Sequence, residues 1–403
     1  MERSRSMTLF PVVLLSCAAM FASAALAART EPSGTEPAGE APARAEPARA
    51  PAQGAGMGGA AATRPDPARD VEVVQVADGV HVFIHPDATE SWPQGNTVVI
   101  EGDRGLVVVD SAYLPSTARA DIGRIRKLTS KPVRYLLNTH WHYDHNLGNS
   151  VYLEAFPQAE IIAHEATRRI MNARVAGYPA RVLAPDSQAQ KDLKGMRETL
   201  ASAKSPAGEP LSEEGRVRLE RDVAAREAEM AEFKTFEYQA PTLTFDQDLT
   251  LYMGGREVQI RHLYRGNTPG DAFVYLPGEK ILITGDLLVS PIPFAFNSYP
   301  SEWIRTLQAL AALDARVIVS GHGAIQRDGA YLREVAALLE SVVDQVRQAT
   351  ERGLRLDDAR KAVDVGPFRL RMTGDDKEKN DIFNEVFLTP IVERAYQEAT
   401  GQL

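Results

Sequence analysis

The run Asn138-Thr139-His140-Trp141-His142-Tyr143-Asp144-His145 constrains this chain more than any other stretch. It follows a mostly apolar segment, Val133–Leu137, that reads as a buried strand, and it sets His140, His142, Asp144 and His145 within six positions. Alternate residues of an extended turn point the same way, so His140 and His142 can present imidazoles to one point. Asp144 and His145 then swing toward a second point nearby. Three imidazoles and a carboxylate suit zinc and are acceptable to iron, manganese or nickel. A polar surface loop is the plainer reading. Yet three of the chain's eight histidines fall in this window, which favours a metal site.

A chain of 403 residues with 44% hydrophobic content has ample material for a sizeable core. Its net charge of −9, from 45 basic and 54 acidic residues, argues against a polyanionic partner. No basic stripe with interleaved aromatics points to nucleic acid, and a small-molecule substrate is expected instead.

The first 27 residues read as an export signal. Arg3 and Arg5 supply the positive start, residues 8–21 the apolar core, and Ala25-Leu26-Ala27 the small-residue cleavage pattern. Leu15-Ser16-Cys17-Ala18 loosely resembles a lipoprotein processing site, but the apolar run passes Cys17 and ends at the better pattern. The expectation is a periplasmic or secreted protein without stable membrane association. Cys17 is the only cysteine, so no internal disulfide can form. Residues 28–69, rich in Ala, Pro, Gly, Glu and Arg, cannot bury enough surface to offset ordering and read as a disordered tether.

A folded domain is expected over 70–327. Strands are read at 71–76 and Val80–Ile84 around Asp78-Gly79, at 96–101 and 105–110 around Gly102 to Gly105, at Val133–Leu137 and at 161–163. A helix is read over 117–128. Residues 165–236 turn charged, Ala-rich and helical, an insertion that is either a structural cap or a lid. Within it Leu219, Val223, Met230 and Phe233 share one face, with Glu227 and Glu229 outside it. Strands resume at 243–252, 257–263, 272–276, 281–284 and 316–320, with a helix at 301–313. A helical extension is expected over 328–403.

Two later strand ends carry further candidate ligands. Gly285-Asp286 delivers a carboxylate just past the strand 281–284, and Gly321-His322-Gly323 follows 316–320. Asp110 closes the apolar strand Leu106–Val109. Each alone is weak, but with the His-rich loop they supply a two-metal site in which Asp286 bridges ions roughly 3.5–4 Å apart.

In the order His-x-His-x-Asp-His, Gly-Asp, Gly-His-Gly, the chain resembles the metallo-β-lactamase superfamily over about 71–323. The resemblance implies an α/β fold, a four-layer αββα sandwich with metals at the sheet edge. It implies His140 and His142 on the first metal, Asp144, His145 and His322 on the second, Asp286 between them, and Asp110 steadying the loop.

One departure stands out. Where the family carries Gly-His-Thr-x-Gly-Asp, this chain reads Gly266-Asn267-Thr268-Pro269-Gly270-Asp271. An amide is a poorer zinc ligand than an imidazole, so the first site should be weak, take a harder metal, or draw on another group such as His262. The expected activity is metal-dependent hydrolysis, with two zinc ions activating water against a carbonyl (β-lactam, lactone, thioester) or phosphoester, and Asp144 orienting or deprotonating that water. The alternatives are a single-iron oxidoreductase, with iron or manganese in place of zinc, and a lapsed metal-containing binding protein. Trp141, Tyr143 and the loop 291–296 are candidate pocket walls.

Overall fold

The computed structural model describes residues 70–86 and 94–403; the leader expected over 1–27 and the tether over 28–69 lie outside them. Strands β1 (Glu72–Ala77), β2 (Val80–Ile84), β3 (Thr97–Glu101), β4 (Leu106–Val109), β5 (Val133–Leu137), β6 (Glu160–His164) and β7 (Leu243–Phe245) form a seven-stranded sheet in chain order. Its first four strands are antiparallel, and β4 to β7 run parallel. Strands β8 (Asp248–Tyr252), β9 (Glu257–Arg261), β10 (Phe273–Leu276), β11 (Ile281–Ile283) and β12 (Val317–Val319) form the second sheet, in the order β12-β11-β10-β9-β8. There only the β11–β12 pair is parallel.

The period of two along each strand separates the layers. Val107 and Val109 of β4, Val98 and Ile100 of β3, Val274 of β10, Ile281 and Ile283 of β11, and Val317 and Val319 of β12 point between the sheets into one buried cluster. The alternate residues face outward. Leu106 and Val108 meet Ile122 and Ile125 of the helix Pro115–Leu128, while Leu282 and Ile318 meet Leu307 of Pro300–Ala311 and Leu339 of Ala330–Glu351. The result is the four-layer αββα sandwich expected from the resemblance.

The C-terminal helices share that second outer core. Phe383, Phe387 and Ile391 are buried in the same cluster as Leu287, Ile292, Ala295 and Trp303. Among the described residues no helix is long and apolar enough to cross a membrane.

Residues 243–252, read as one strand, are two. β7 pairs with β6 in the first sheet, β8 pairs with β9 in the second, and the chain crosses between them at Asp246 and Gln247. The alternation of side chains carries through such a corner unbroken, so the pattern alone does not reveal the change of sheet. The insertion consists of short helical segments from Glu165 onward and the long helices Gln188–Ser202 and Glu213–Phe233. Met230 and Phe233 are buried as expected, but Glu229, read as lying outside that face, is 1% exposed.

Candidate metal centre

The site is built where strands end side by side. β4 and β5 run parallel with Val109 opposite Leu137, so Asp110 leaves the sheet beside the His-rich loop. β11 and β12 run parallel with Ile283 opposite Val319, so Asp286 and His322 leave together. The amide of Ala272 donates to the Thr139 carbonyl (2.8 Å) and that of Asn96 to the Gly321 carbonyl (2.6 Å), tying the two sheets at this rim. Glycine is required at two of the turns. Gly285 sits at φ 51°, in the left-handed region, and a Cβ on Gly321 would collide with the Asp286 carboxylate.

Asp110 itself adopts φ 63°, an uncommon conformation for a residue with a side chain. The turn aims its carboxylate at three donors: the Thr139 amide (2.8 Å to Oδ1), and the Thr139 hydroxyl and His145 Nδ1 (each 2.8 Å to Oδ2). A carboxylate oxygen only accepts, so Nδ1 of His145 carries a proton, and when the ring is neutral Nε2 is left with a lone pair. The same logic runs through Thr139. Its one hydroxyl proton goes to Asp110, so it accepts from His140 Nδ1 at 3.0 Å. His140 Nε2 is then a buried lone pair with no hydrogen-bond partner.

Two groups of side chains converge: His140, His142 and Asp286, and Asp144, His145 and His322, all buried. Asp286 serves both. Its Oδ2 is 3.5 Å from His140 Nε2, and its Oδ1 is 3.4 Å from His145 Nε2 and 3.5 Å from His322 Nε2. Asp144 Oδ2 lies 3.3 Å from His145 Nε2 and 3.0 Å from His322 Nε2, and the two imidazole nitrogens are 3.2 Å apart.

These spacings test whether a metal fits. A tetrahedron with edges near 3.3 Å has its centre about 2.0 Å from each corner, the length of a zinc bond to imidazole or carboxylate. Asp144 Oδ2, His145 Nε2, His322 Nε2 and Asp286 Oδ1 form such a figure, with five of its edges between 3.0 and 3.5 Å. Two nitrogens facing one another with carboxylates beside them are otherwise a poor arrangement for hydrogen bonding alone. The donor set fits a metal ion.

Protonation follows the same crowding. Burial alone would raise Asp144 and Asp286, but the neighbouring imidazoles outweigh it and hold both carboxyls well below their usual range. Burial alone would lower His145 and His322, but the carboxylates around them raise both. His140 is lowered by burial and by the His145 ring.

Asn267 is fully buried and neither amide atom has a hydrogen-bond partner. The structure does not bring His262 into either group. Its Nδ1 lies 2.8 Å from the Asp271 carbonyl, and its ring packs against His164 with centroids 4.0 Å apart. Burial and the His262 ring push His164 down to about 4. Burial pushes Asp271 up to about 7, and its carboxyl accepts from the amide (2.7 Å) and hydroxyl (2.9 Å) of Thr268, closing the turn that carries Asn267.

Trp141 and Tyr143 are packed rather than lining open space. They are buried with Tyr113, Met171, Val175 and Phe233, where the insertion meets the His-rich loop. Tyr178 of the insertion stacks on Tyr143 with centroids 3.7 Å apart, and its hydroxyl is 3.1 Å from that of Tyr113. Tyr113 in turn donates to Glu229, which also pairs with Arg226. This polar knot was invisible in the sequence because a glutamate in a charged helix reads as solvated. Of the loop 291–296, Phe294 does reach the centre, its ring 5.6 Å from that of His322. Asn297, one residue beyond that loop, places Oδ1 3.2 Å from His142 Nε2. Sequence reading missed it, since a single asparagine in a loop carries no pattern.

The model of the metallo-beta-lactamase superfamily matches residues 91–322. Among characterised relatives, a linear primary-alkylsulfatase of Pseudomonas sp. is 26% identical over 280 residues, 67% of this chain and 50% of that protein, so the chain spans half the relative's length. Among solved structures, the stereoselective inverting sec-alkylsulfatase Pisa1 from Pseudomonas sp. is 16% identical with a TM-score of 0.55, over 81% of this chain and 50% of the other. A metallo-beta-lactamase from Pontibacter korlensis is 18% identical with a TM-score of 0.47, over 67% of this chain and 99% of the other. With its sandwich fold, its rim of imidazoles and carboxylates and this match across most of the folded part, the chain belongs to the metallo-beta-lactamase superfamily.

Proposed function

We propose that this protein is a metal-dependent hydrolase of sulfate monoesters, with zinc as the first metal to test. The observation that carries the catalytic reading is the near-tetrahedral set of donor atoms around Asp144, His145, His322 and Asp286, extended by Asp286 toward His140. The substrate class is supported by the relative that acts, by its name, on linear primary alkyl sulfates. The donors of two groups sharing one carboxylate favour two ions over the single iron of an oxidoreductase.

Metal ions held there would act as Lewis acids and lower the pKa of water toward ~7. The chain's residues do the rest. His140, His142, Asp144, His145, Asp286 and His322 would hold the ions, and Asp110 fixes the ring of His145. Asp144 would orient the attacking water as well as hold metal. Phe294 gives the centre an apolar side. In balance, R–O–SO3⁻ and water give R–OH and HSO4⁻.

Purified full-length protein should release sulfate from a linear primary alkyl sulfate, and Asp144→Ala should lower that rate by about 100-fold or more. Turnover of a lactone or β-lactam without sulfate release would move the substrate class back to carbonyl compounds. Turnover of none of these, with metal bound, would contradict the hydrolase reading.

A further inference from the structure

The loop that follows Asp286 and returns past the centre is tied at its start to His322 and Tyr331 and at its end to Gly266, and between them it packs on the far end of the chain. Ile292 and Ala295 are buried among Phe383, Phe387 and Ile391. The Ala295 amide donates to the Val386 carbonyl at 3.0 Å. Val386 lies in a π-helical stretch, Phe383–Leu388, and such wider turns displace the regular ladder of helical hydrogen bonds. Arg394, on the helix Thr389–Ala399, donates from Nε to the Ser298 carbonyl at 2.6 Å, and its guanidinium lies 5.1 Å from the centroid of Tyr299. Glu398 accepts from the amide (3.1 Å) and hydroxyl (2.7 Å) of Ser301, at the start of the helix Pro300–Ala311. Between these fixed points sits Asn297, its Oδ1 3.2 Å from Nε2 of His142.

We propose that Asn297 is the positioning residue for His142, and that the C-terminal helices are therefore part of the metal centre rather than an appendage to it. An amide oxygen only accepts, so Nε2 of His142 carries the proton and Nδ1 is left to bind. This is the counterpart of what Thr139 does for His140 and Asp110 for His145, each fixing one ring nitrogen so that the other faces the ion. Those two partners are adjacent in the chain or on the neighbouring strand. Asn297 comes from 155 residues away, and its place depends on contacts made by residues 383–398. The inference rests on the metal reading above.

The test measures metal per chain and first-site affinity by chelator competition, using zinc and full-length protein. Asn297→Ala should weaken one of the two ions by about 10–100-fold and leave the other unchanged. Asn297→Asp, which still accepts from Nε2, should keep both. Arg394→Ala should move affinity in the same direction as Asn297→Ala by a smaller factor. Nitrogen-15 NMR of the wild type provides a check that needs no variant, and should find the proton of His142 on Nε2. Unchanged affinity in Asn297→Ala, or a proton on Nδ1, would overturn the proposal while leaving the metal reading intact. A wild type that binds no metal at all would instead sink the metal reading.

Discussion

The single proton of the Thr139 hydroxyl decides which nitrogen of His140 faces the centre, because it is committed to Asp110. Asp110→Ala removes that anchor and the partner of His145 at once, and should weaken metal binding by about 10–100-fold, as read by chelator competition. Protonation gives a second expectation. The pKa values of His145 and His322 are raised in the folded metal-free protein, so the stability they contribute is fully present below about pH 6.5 and is lost as pH rises through their raised values. Metal ligation requires these rings neutral, so binding should release protons and tighten as pH rises. Calorimetry at pH 7 in two buffers of different ionisation enthalpy should show net proton release, whereas buffer-independent heats would contradict it. At this scale the His-rich run was legible because its ligands are local. Asn297 was not, since its only claim on the site is a contact made across the fold.

Elements carry the site through their ends. The strand ends at Asp110, Asp286 and His322 were readable because a polar residue after an apolar run marks a rim, and parallel pairing then sets those rims side by side. The insertion was readable only as helix. Its inner face includes Glu229, 1% exposed and joined to Arg226 and Tyr113, so an acid placed among charged neighbours is in fact a buried tie to the loop after β4. Glu229→Ala leaves the Arg226 guanidinium, 4% exposed, without that partner and should cost about 3–5 kcal/mol in a denaturant titration. A loss under 1 kcal/mol would show that the knot contributes little. The crossover between β7 and β8 escaped sequence reading for a different reason: side-chain alternation reports burial, and both sheets bury toward the same middle.

For the whole molecule, one outer core runs from β10, β11 and β12 through Pro300–Ala311 and Ala330–Glu351 to the last helix. Phe387, fully buried there, anchors the C-terminal helices; Phe387→Ala should cost about 3–5 kcal/mol of stability. It should also weaken metal binding if those helices hold the loop that carries Asn297. The sandwich and the convergence of the histidines and aspartates at its rim could be anticipated from spacing and resemblance. The coupling of the chain's end to the centre could not, because it passes through backbone carbonyls of Val386 and Ser298 that no residue type announces.

Asp286 turns one oxygen toward His140 and the other toward His145 and His322, so that this single carboxylate would bridge two ions. Metal content of the purified protein, wild type beside Asp286→Ala, tests it most directly. Two ions per chain in the wild type and one or none in the variant are expected. No metal in the wild type, or two ions retained without Asp286, would contradict it.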